Sequence, residues 1–250
     1  MPRVQGYDET TKALARVCPR PAVIYRQLRP VSSSVRQQGL SMNVLIVGAT
    51  GGTGQQLVTQ ALDRGHRVTP FVRRLPRAES APGITPAVGD VLDPASLDRA
   101  MPGQEAVLSA LGHNRWLGPT HILSEGTRNL IAAMGRHGVR RFVCETALGI
   151  SDSWWQMGLY YTLFVRPVIL PFYFWDKVRQ EAVVRASDLD WTIVRPGALT
   201  NGPKRGRYRH GARVGHWLWT VRISRADVAT FMLDQLTDRR YLRATVGLAD

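Results

Sequence analysis

Gly48, Gly51 and Gly54 stand at three-residue spacing in the run MNVLIVGATGGTGQQLVTQALDRGHRVTPFVRRLPR, residues 42–77. Set between a strand and a helix, such glycines make a cradle for a pyrophosphate. The first permits a sharp turn off the strand, the second a close approach of backbone to phosphate, and the third tight packing of helix on sheet. The N–H groups of Gly52, Thr53 and Gly54, with Thr50 in the turn, then face the phosphates, where the helix dipole favours negative charge. About 20 residues further on, where such a site meets the adenosine ribose, stand Arg73 and Arg74, with Arg77 close behind. An acid there would accept from the 2′-hydroxyl of NAD(H). Guanidinium groups instead match a 2′-phosphate through paired charge-assisted bonds, so NADP(H) is the expected cofactor, ahead of NAD(H).

The elements around the glycines are the ones this chemistry requires. Asn43 to Val47 is a short apolar, β-branched run suited to a buried parallel strand. Gln55 to Arg64 carries Leu57, Val58, Ala61 and Leu62 at helical spacing and stops at Gly65, and Arg67 to Val72 is a second strand. Ile84 to Val88 reads as a third strand, leading into Asp90 and Val91 at the edge where ligands bind in open α/β sheets. Asp90 is therefore a candidate adenine contact, with a turn or helix-cap aspartate as the alternative. Asp93 before Pro94 is the better cap, for a helix to Met101. Glu105 to Leu111 is a fourth strand, and Leu111 and Gly112 would let the backbone pass close to the nicotinamide-side ribose. A helix over Thr120 to His137, a strand over Arg141 to Thr146, a helix over Tyr173 to Ser187 and a strand over Trp191 to Val194 follow, with Pro196 at the same edge. Ser224 caps a last helix, Arg225 to Leu236, and Tyr241 to Gly247 is a last strand.

Alternation of strands and helices over 250 residues predicts one α/β domain, residues 42–250. The expected architecture is a three-layer Rossmann fold, a doubly wound, mostly parallel sheet with helices on both faces. Residues 1–41 have no periodicity and carry seven basic residues against two acids, which reads as a disordered basic extension. Cys18 and Cys144 belong to no metal-spacing or CxxC motif, so no metal and no structural disulfide are expected, and the compartment is read as cytoplasmic.

The formal charge of +14 is compatible with nucleic acid, an anionic membrane or anionic small ligands. Of 33 basic residues only Lys12, Lys177 and Lys204 are lysine, a bias in keeping with a GC-rich genome. The basic run from Lys204 to Arg225 is read as a solvated rim near an anionic cofactor, and no nucleic-acid partner is expected. The segment WWQMGLYYTLFVRPVILPFYFW, residues 154–175, is aromatic and apolar but broken by Arg166, Pro167 and Pro171, which argues against a span. A lid over an apolar pocket, an oligomer surface and a shallow membrane contact are the readings, in that order. Oligomeric state stays open.

GATGGTG, FVRR, GDVLD, SEGTRNLIAAMGRHGVRRFV, DLDWTIVRPGALT and ISRADVA, in this order, resemble the atypical short-chain dehydrogenase/reductases. The nearer branch holds NAD(P)H-binding proteins such as biliverdin-IXβ/flavin reductase and NmrA-like proteins. The resemblance covers about Met42 to Gly247. It implies a Tyr-x-x-x-Lys pair, and Tyr173 and Lys177 have that spacing, which places them on one helix face. By family mechanism Lys177 would hold the cofactor ribose and lower the tyrosine pKa, and Tyr173 would pass a proton to a carbonyl oxygen. The family's serine falls at Thr146, followed by Ala147. The polar pocket of the biliverdin reductases is not reproduced, since Ala147 and Gly197 occupy its serine and histidine positions. The resemblance thus implies an NADPH-dependent oxidoreductase acting on a small planar or apolar acceptor, flavin-like or quinone-like. A non-catalytic NADP(H) sensor of NmrA-like type is the alternative. A nucleotide-sugar epimerase is weaker still, because the chain lacks the length for that family's substrate domain.

Overall fold

The structure is a computed structural model and describes residues 41–75, 82–112, 120–159, 163 and 171–250, the side chains of 171–173 excepted. Residues 1–40 of the expected extension 1–41, Arg77, and residues 160–162 and 164–170 of the aromatic segment lie outside the described residues.

The strands of the main sheet are β1 (Asn43–Val47), β2 (Arg67–Val72), β3 (Ala87–Val88), β4 (Ala106–Ser109), β5 (Arg141–Glu145), β6 (Asp190–Pro196), β8 (Arg209–Gly211) and β10 (Ala244–Ala249). Their order is β3-β2-β1-β4-β5-β6-β10-β8, parallel throughout except for the antiparallel pair of β10 with β8. Two further strands, β7 (Ala198–Thr200) and β9 (Arg222–Ser224), form a separate parallel pair. The order reverses direction between β1 and β4. In a doubly wound sheet this switch point opens the crevice that takes the ligand.

Side chains of one strand point alternately to the two faces, and here the alternation assigns each helix a layer. Val44 and Ile46 of β1 pack with Leu57, Val58 and Ala61 of α1 (Gly52–Asp63) and with Val228 and Met232 of α5 (Arg225–Asp234). Leu45 and Val47 pack the other way, against Leu97 of α2 (Pro94–Ala100), Leu130 and Met134 of α3 (Ile122–Arg136) and Val184 of α4 (Pro171–Arg185). Both faces are covered, which is why β1 reads as a continuous apolar run.

Several boundaries differ from the sequence expectations. The third strand shrinks to Ala87–Val88, with Ile84 making only an isolated bridge to Val68, because Pro86 between them has no N–H to give a ladder. The last strand begins at Ala244 rather than Tyr241, since Arg243 holds a left-handed φ of 52° in the preceding turn. The stretch from Lys204 to Arg225, expected as loop, contains β8 and β9 of three residues each, too short to show a period. Two caps stand as expected: Asp93 Oδ1 accepts from Ala95 N at 3.1 Å, and Ser224 Oγ from Asp227 N at 3.0 Å.

One cap is invisible in the local sequence. His121 precedes α3 and offers its first turn no side-chain acceptor. The acceptor comes from α4: buried Asp176 takes bonds from Leu123 N (3.0 Å), Ser124 N (3.1 Å), Ser124 Oγ (2.6 Å) and Thr120 Oγ1 (3.1 Å). A carboxylate there also complements the positive end of the helix. Asp176→Ala leaves those buried donors without this acceptor and is expected to destabilise the fold by about 2–4 kcal/mol. A urea melt checks this, with Asp176→Asn expected to lose about half as much because one oxygen survives.

Candidate functional site

The glycine turn is built as the spacing requires. Gly48 holds φ of 77°, and a Cβ on it would stand 2.3 Å from Ala110 O, so the two sides of the switch point touch backbone to backbone. A Cβ on Gly54 would stand 2.0 Å from Gly48 O. Gly51 is the N-cap of α1, its N–H bonded to Gly48 O at 2.9 Å, and both Gly51 and Gly52 are exposed, as is Thr50. The first intrahelical bond runs from Gln55 N to Gly51 O, so the N–H groups of Gly52, Thr53 and Gly54 precede the ladder. These residues fit a pyrophosphate: backbone donors ahead of the helical ladder, no side chain of their own at Gly51, Gly52 and Gly54, and a positive helix end.

Two charged side chains that the sequence reading did not assign frame this cradle. Arg225, at the start of α5, lies over Gly52, where an added Cβ would meet its Cδ at 2.6 Å and its Nε at 2.7 Å. Asn201 Oδ1 holds it there by accepting from Arg225 Nη1 at 2.6 Å. From beneath, the buried Glu145 at the end of β5 accepts from Thr53 Oγ1 at 3.1 Å. Burial pushes the Glu145 carboxyl up, while Lys177, the Thr53 hydroxyl and Arg225 pull it down; the net direction is up. A group held toward its neutral form beside a candidate phosphate cradle would repel an anionic ligand less. Thr53 and Glu145 are 92 residues apart. The only sequence signal for either framing residue was the ISRADVA motif that contains Arg225.

Lys177 sits one helical turn after Tyr173 on α4 and is buried, its Nζ donating to Leu111 O at 3.2 Å and Glu145 O at 3.1 Å. It ties the ends of β4 and β5 together beside the crevice. The side chain of Tyr173 lies outside the described residues. Thr146 is buried and donates its hydroxyl to Glu181 Oε1 at 2.8 Å. That carboxylate is the centre of a buried network: Arg195 Nε and Nη2 reach Glu181 at 2.8 and 2.6 Å, and Arg195 Nη1 reaches Asp152 at 2.7 Å. Burial works against the Arg195 charge, but Glu181 and Asp152 outweigh it and hold its pKa above the usual range. The network pins α4 to β6, and with it the position of Lys177.

The remaining predicted cofactor residues divide. Arg73 and Arg74 are exposed in the bend after β2, on the outer side of β1. Exposed Asp90 accepts from Leu92 N at 2.9 Å, the turn geometry given as its alternative. Val91 is buried with its side chain against Gly126 and its carbonyl accepting from Asn129 at 3.0 Å. Exposed Gly112 follows Leu111, whose carbonyl is taken by Lys177, and the carbonyl of Pro196 accepts from Leu148 N at 2.9 Å. Cys144 is fully buried, its thiol pushed up to about 12 by burial, and is chemically inert.

The sequence model of the NAD(P)H-binding family matches residues 48–239, which includes the glycine turn that follows β1, strand β4 on the other side of the switch point and Arg225. The chain belongs to this family. An uncharacterised chloroplast protein of Arabidopsis thaliana is 30% identical over 179 residues, 65% of this chain and 61% of that one. The photosystem II assembly factor Ycf39 of Synechocystis is 37% identical over 115 residues, 44% of this chain and 35% of that factor. The match thus spans less than two thirds of either relative. Among solved structures, a short-chain dehydrogenase/reductase of Veillonella parvula in complex with NADP superposes with a TM-score of 0.70 at 20% identity, over 84% of this chain and 94% of that one. ChuY of Escherichia coli O157:H7, an anaerobillin reductase, gives 0.66 at 20% identity, over 83% and 96%. At that identity the likeness is one of fold, and the fold is the expected mostly parallel Rossmann sheet with helices on both faces.

Proposed function

We propose that the protein is an NADPH-dependent oxidoreductase that passes hydride to a small planar or apolar acceptor, flavin-like or quinone-like. The observation that carries the reading is the pairing of the positive end of α1 with the Arg225 guanidinium across exposed Gly52. Two positive groups held face to face by Asn201 favour an anion between them, and the backbone donors ahead of the helical ladder suit a pyrophosphate. The nicotinamide supplies the hydride when the cofactor is bound. The chain's residues bind and orient: Gly52, Thr53 and Gly54 donate to phosphate, Arg225 covers it, and Lys177 fixes the β4 and β5 edges beside the ribose.

The Thr146 hydroxyl already donates to Glu181, and Ala147 and Gly197 offer no side-chain polar group. This supports an acceptor whose reduction draws its proton from solvent, as flavin reduction can, over an alcohol or a biliverdin. The same scarcity of polar groups favours, as a second reading, an NADP(H) sensor without chemistry. NADPH consumption with a panel of flavins and quinones, set against cofactor binding alone, separates the two. Binding without turnover on every acceptor would leave the sensor.

Cofactor preference rests on Arg73 and Arg74. NADPH is expected to bind at least about tenfold more tightly than NADH, the scale of one guanidinium–phosphate pairing. The Arg73→Ala, Arg74→Ala double variant should erase most of that difference while leaving NADH affinity near its starting value. Equal wild-type affinities for the two cofactors would overturn the assignment.

A further inference from the structure

Four of the five exposed tryptophans among the described residues lie on two segments that the fold zips together, Trp154 and Trp155 on one and Trp217 and Trp219 on the other; the fifth, Trp175, is covered on one face by the Arg179 guanidinium. His216 N donates to Gln156 O at 3.0 Å, and Met157 bridges His216. Buried Gln156 clamps the second segment by accepting from Val214 N and Gly215 N, each at 3.2 Å, and donating to Ala212 O at 3.1 Å. At the tip, His216 Nδ1 accepts from Leu218 N at 3.1 Å and Trp219 N at 3.2 Å, and the turn so formed holds Trp217, Leu218 and Trp219 out together. Trp217 is 63% exposed and Trp219 68%. On the first segment Leu159, four residues after Trp155, adds an exposed aliphatic side chain. Large apolar groups held outward by a buried polar clamp are not a loose core edge, and a patch of this kind marks an interaction site.

Charge selects the partner. No acid occurs between Asp152 and Asp176, or between Asp190 and Asp227, whereas the second interval holds eight basic residues. Arg213 and Arg222 flank the tryptophan tip, are exposed, and take part in no ion pair among the described residues. Asp250 donates its N–H to Arg222 O at 2.8 Å, while its carboxylate accepts from Arg205 Nη1 at 3.5 Å and its carbonyl from Arg209 Nη2 at 3.2 Å. Asp152 is committed to Arg195. A second copy of the chain meeting this face about a two-fold axis would set arginine against arginine. Single-stranded nucleic acid would use the tryptophans for stacking, but gains little from Leu159 and Leu218. Tryptophan at the headgroup level, leucine just below it and arginine among anionic headgroups is the arrangement of an interfacial membrane contact.

We propose that the surface formed by residues 154–159 and 213–222 docks on an anionic lipid bilayer. Among the described residues no helix is long and apolar enough to cross a membrane. Residues 154–159 come after β5, and residues 213–222 lead from β8 into β9. The sequence reading ranked a membrane contact last for residues 154–175. Zipping to the arginine-flanked loop, which lies more than 50 residues away in sequence, changes that order.

The test is flotation of the full-length protein with vesicles of phosphatidylcholine alone and of phosphatidylcholine with one quarter phosphatidylglycerol. Binding is expected to be at least about tenfold stronger to the anionic vesicles, with tryptophan emission quenched by brominated lipid. Trp217→Ala with Trp219→Ala should cut vesicle binding about tenfold and reduce the quenching, at unchanged NADPH affinity and melting temperature. Arg213→Glu with Arg222→Glu should cut it to a similar degree. Should the tryptophan variant fail to fold, quenching of the wild-type protein by brominated lipid still decides. Absence of vesicle binding overturns the proposal. So does binding that survives in both variants, which would assign it to the seven basic residues of residues 1–41. Tighter binding of a single-stranded oligonucleotide than of anionic vesicles, abolished by the same tryptophan changes, overturns it in favour of nucleic acid.

Discussion

Gly54→Ala is expected to lower NADPH affinity by about 100-fold or more, equivalent to about 2.7 kcal/mol. The added methyl carbon would stand 2.0 Å from Gly48 O and 2.8 Å from Ala49 Cα, both backbone atoms that no rotamer change can move. The first turn of α1 must therefore shift off β1, and the N–H groups of Gly52 and Thr53 shift with it. Gly135→Ala is the matched control. Gly135 lies near the end of α3, exposed, and apart from its own stretch of helix nothing stands within 4 Å of where its Cβ would be. There the same substitution removes backbone freedom only from the unfolded chain and should raise stability by about 0.5–1 kcal/mol with NADPH binding unchanged. Isothermal titration and thermal melts on the two variants give the comparison. A Gly54→Ala protein that binds NADPH as the wild type does would remove the glycine turn from the site.

What was legible in the sequence was local. The glycine spacing, the apolar run of β1, the helical spacing in α1 and the caps Asp93 and Ser224 all act within a few residues, so composition and period reveal them. The cofactor edge followed because one turn specifies its position in a sheet of this type. Three features that define the site are instead contacts between distant residues. Asp176 completes the start of α3 from another helix, Glu145 meets Thr53 across 92 residues, and Arg225 reaches Gly52 from the last helix. Each looks ordinary in its own neighbourhood. Glu145 in particular ends the strand RFVCE, and it is the next residue, Thr146, that stands where the resemblance places the family's serine. The threonine hydroxyl turned out to face Glu181, a partner 35 residues away that only the packing of α4 on β5 and β6 brings near. Strand ends were the least legible, because Pro86 and the left-handed Arg243 cut ladders that apolar content alone would extend.

Lys177 and Tyr173 decide between the two mechanisms, and their expected responses differ in kind. Lys177 is buried and its ammonium holds the carbonyls of Leu111 and Glu145, so Lys177→Ala removes the tie between β4 and β5 and opens space beside the crevice. NADPH affinity is expected to fall by at least about tenfold, with a loss of stability of about 2–4 kcal/mol from the carbonyls left without that donor and the lost packing. Lys177→Met keeps most of the volume but not the charge. If Lys177 holds the ribose, it should recover part of the stability and none of the affinity, which separates the proposed ribose contact from packing. If Lys177→Met binds NADPH normally, the lysine is a strut for the two strands and nothing more. Tyr173→Phe tests the proton. A tyrosine that donates to substrate in the transition state makes the substitution cost about 100-fold or more in kcat with NADPH binding intact. With the Thr146 hydroxyl committed to Glu181 and no serine beside it, the expectation is a loss of only a few-fold, the proton arriving from water. Single-turnover rates with one flavin and one quinone, taken on wild type, Tyr173→Phe and Lys177→Met, give the result directly. A 100-fold fall for Tyr173→Phe on both acceptors would restore the tyrosine as general acid and extend the substrate class to carbonyl compounds.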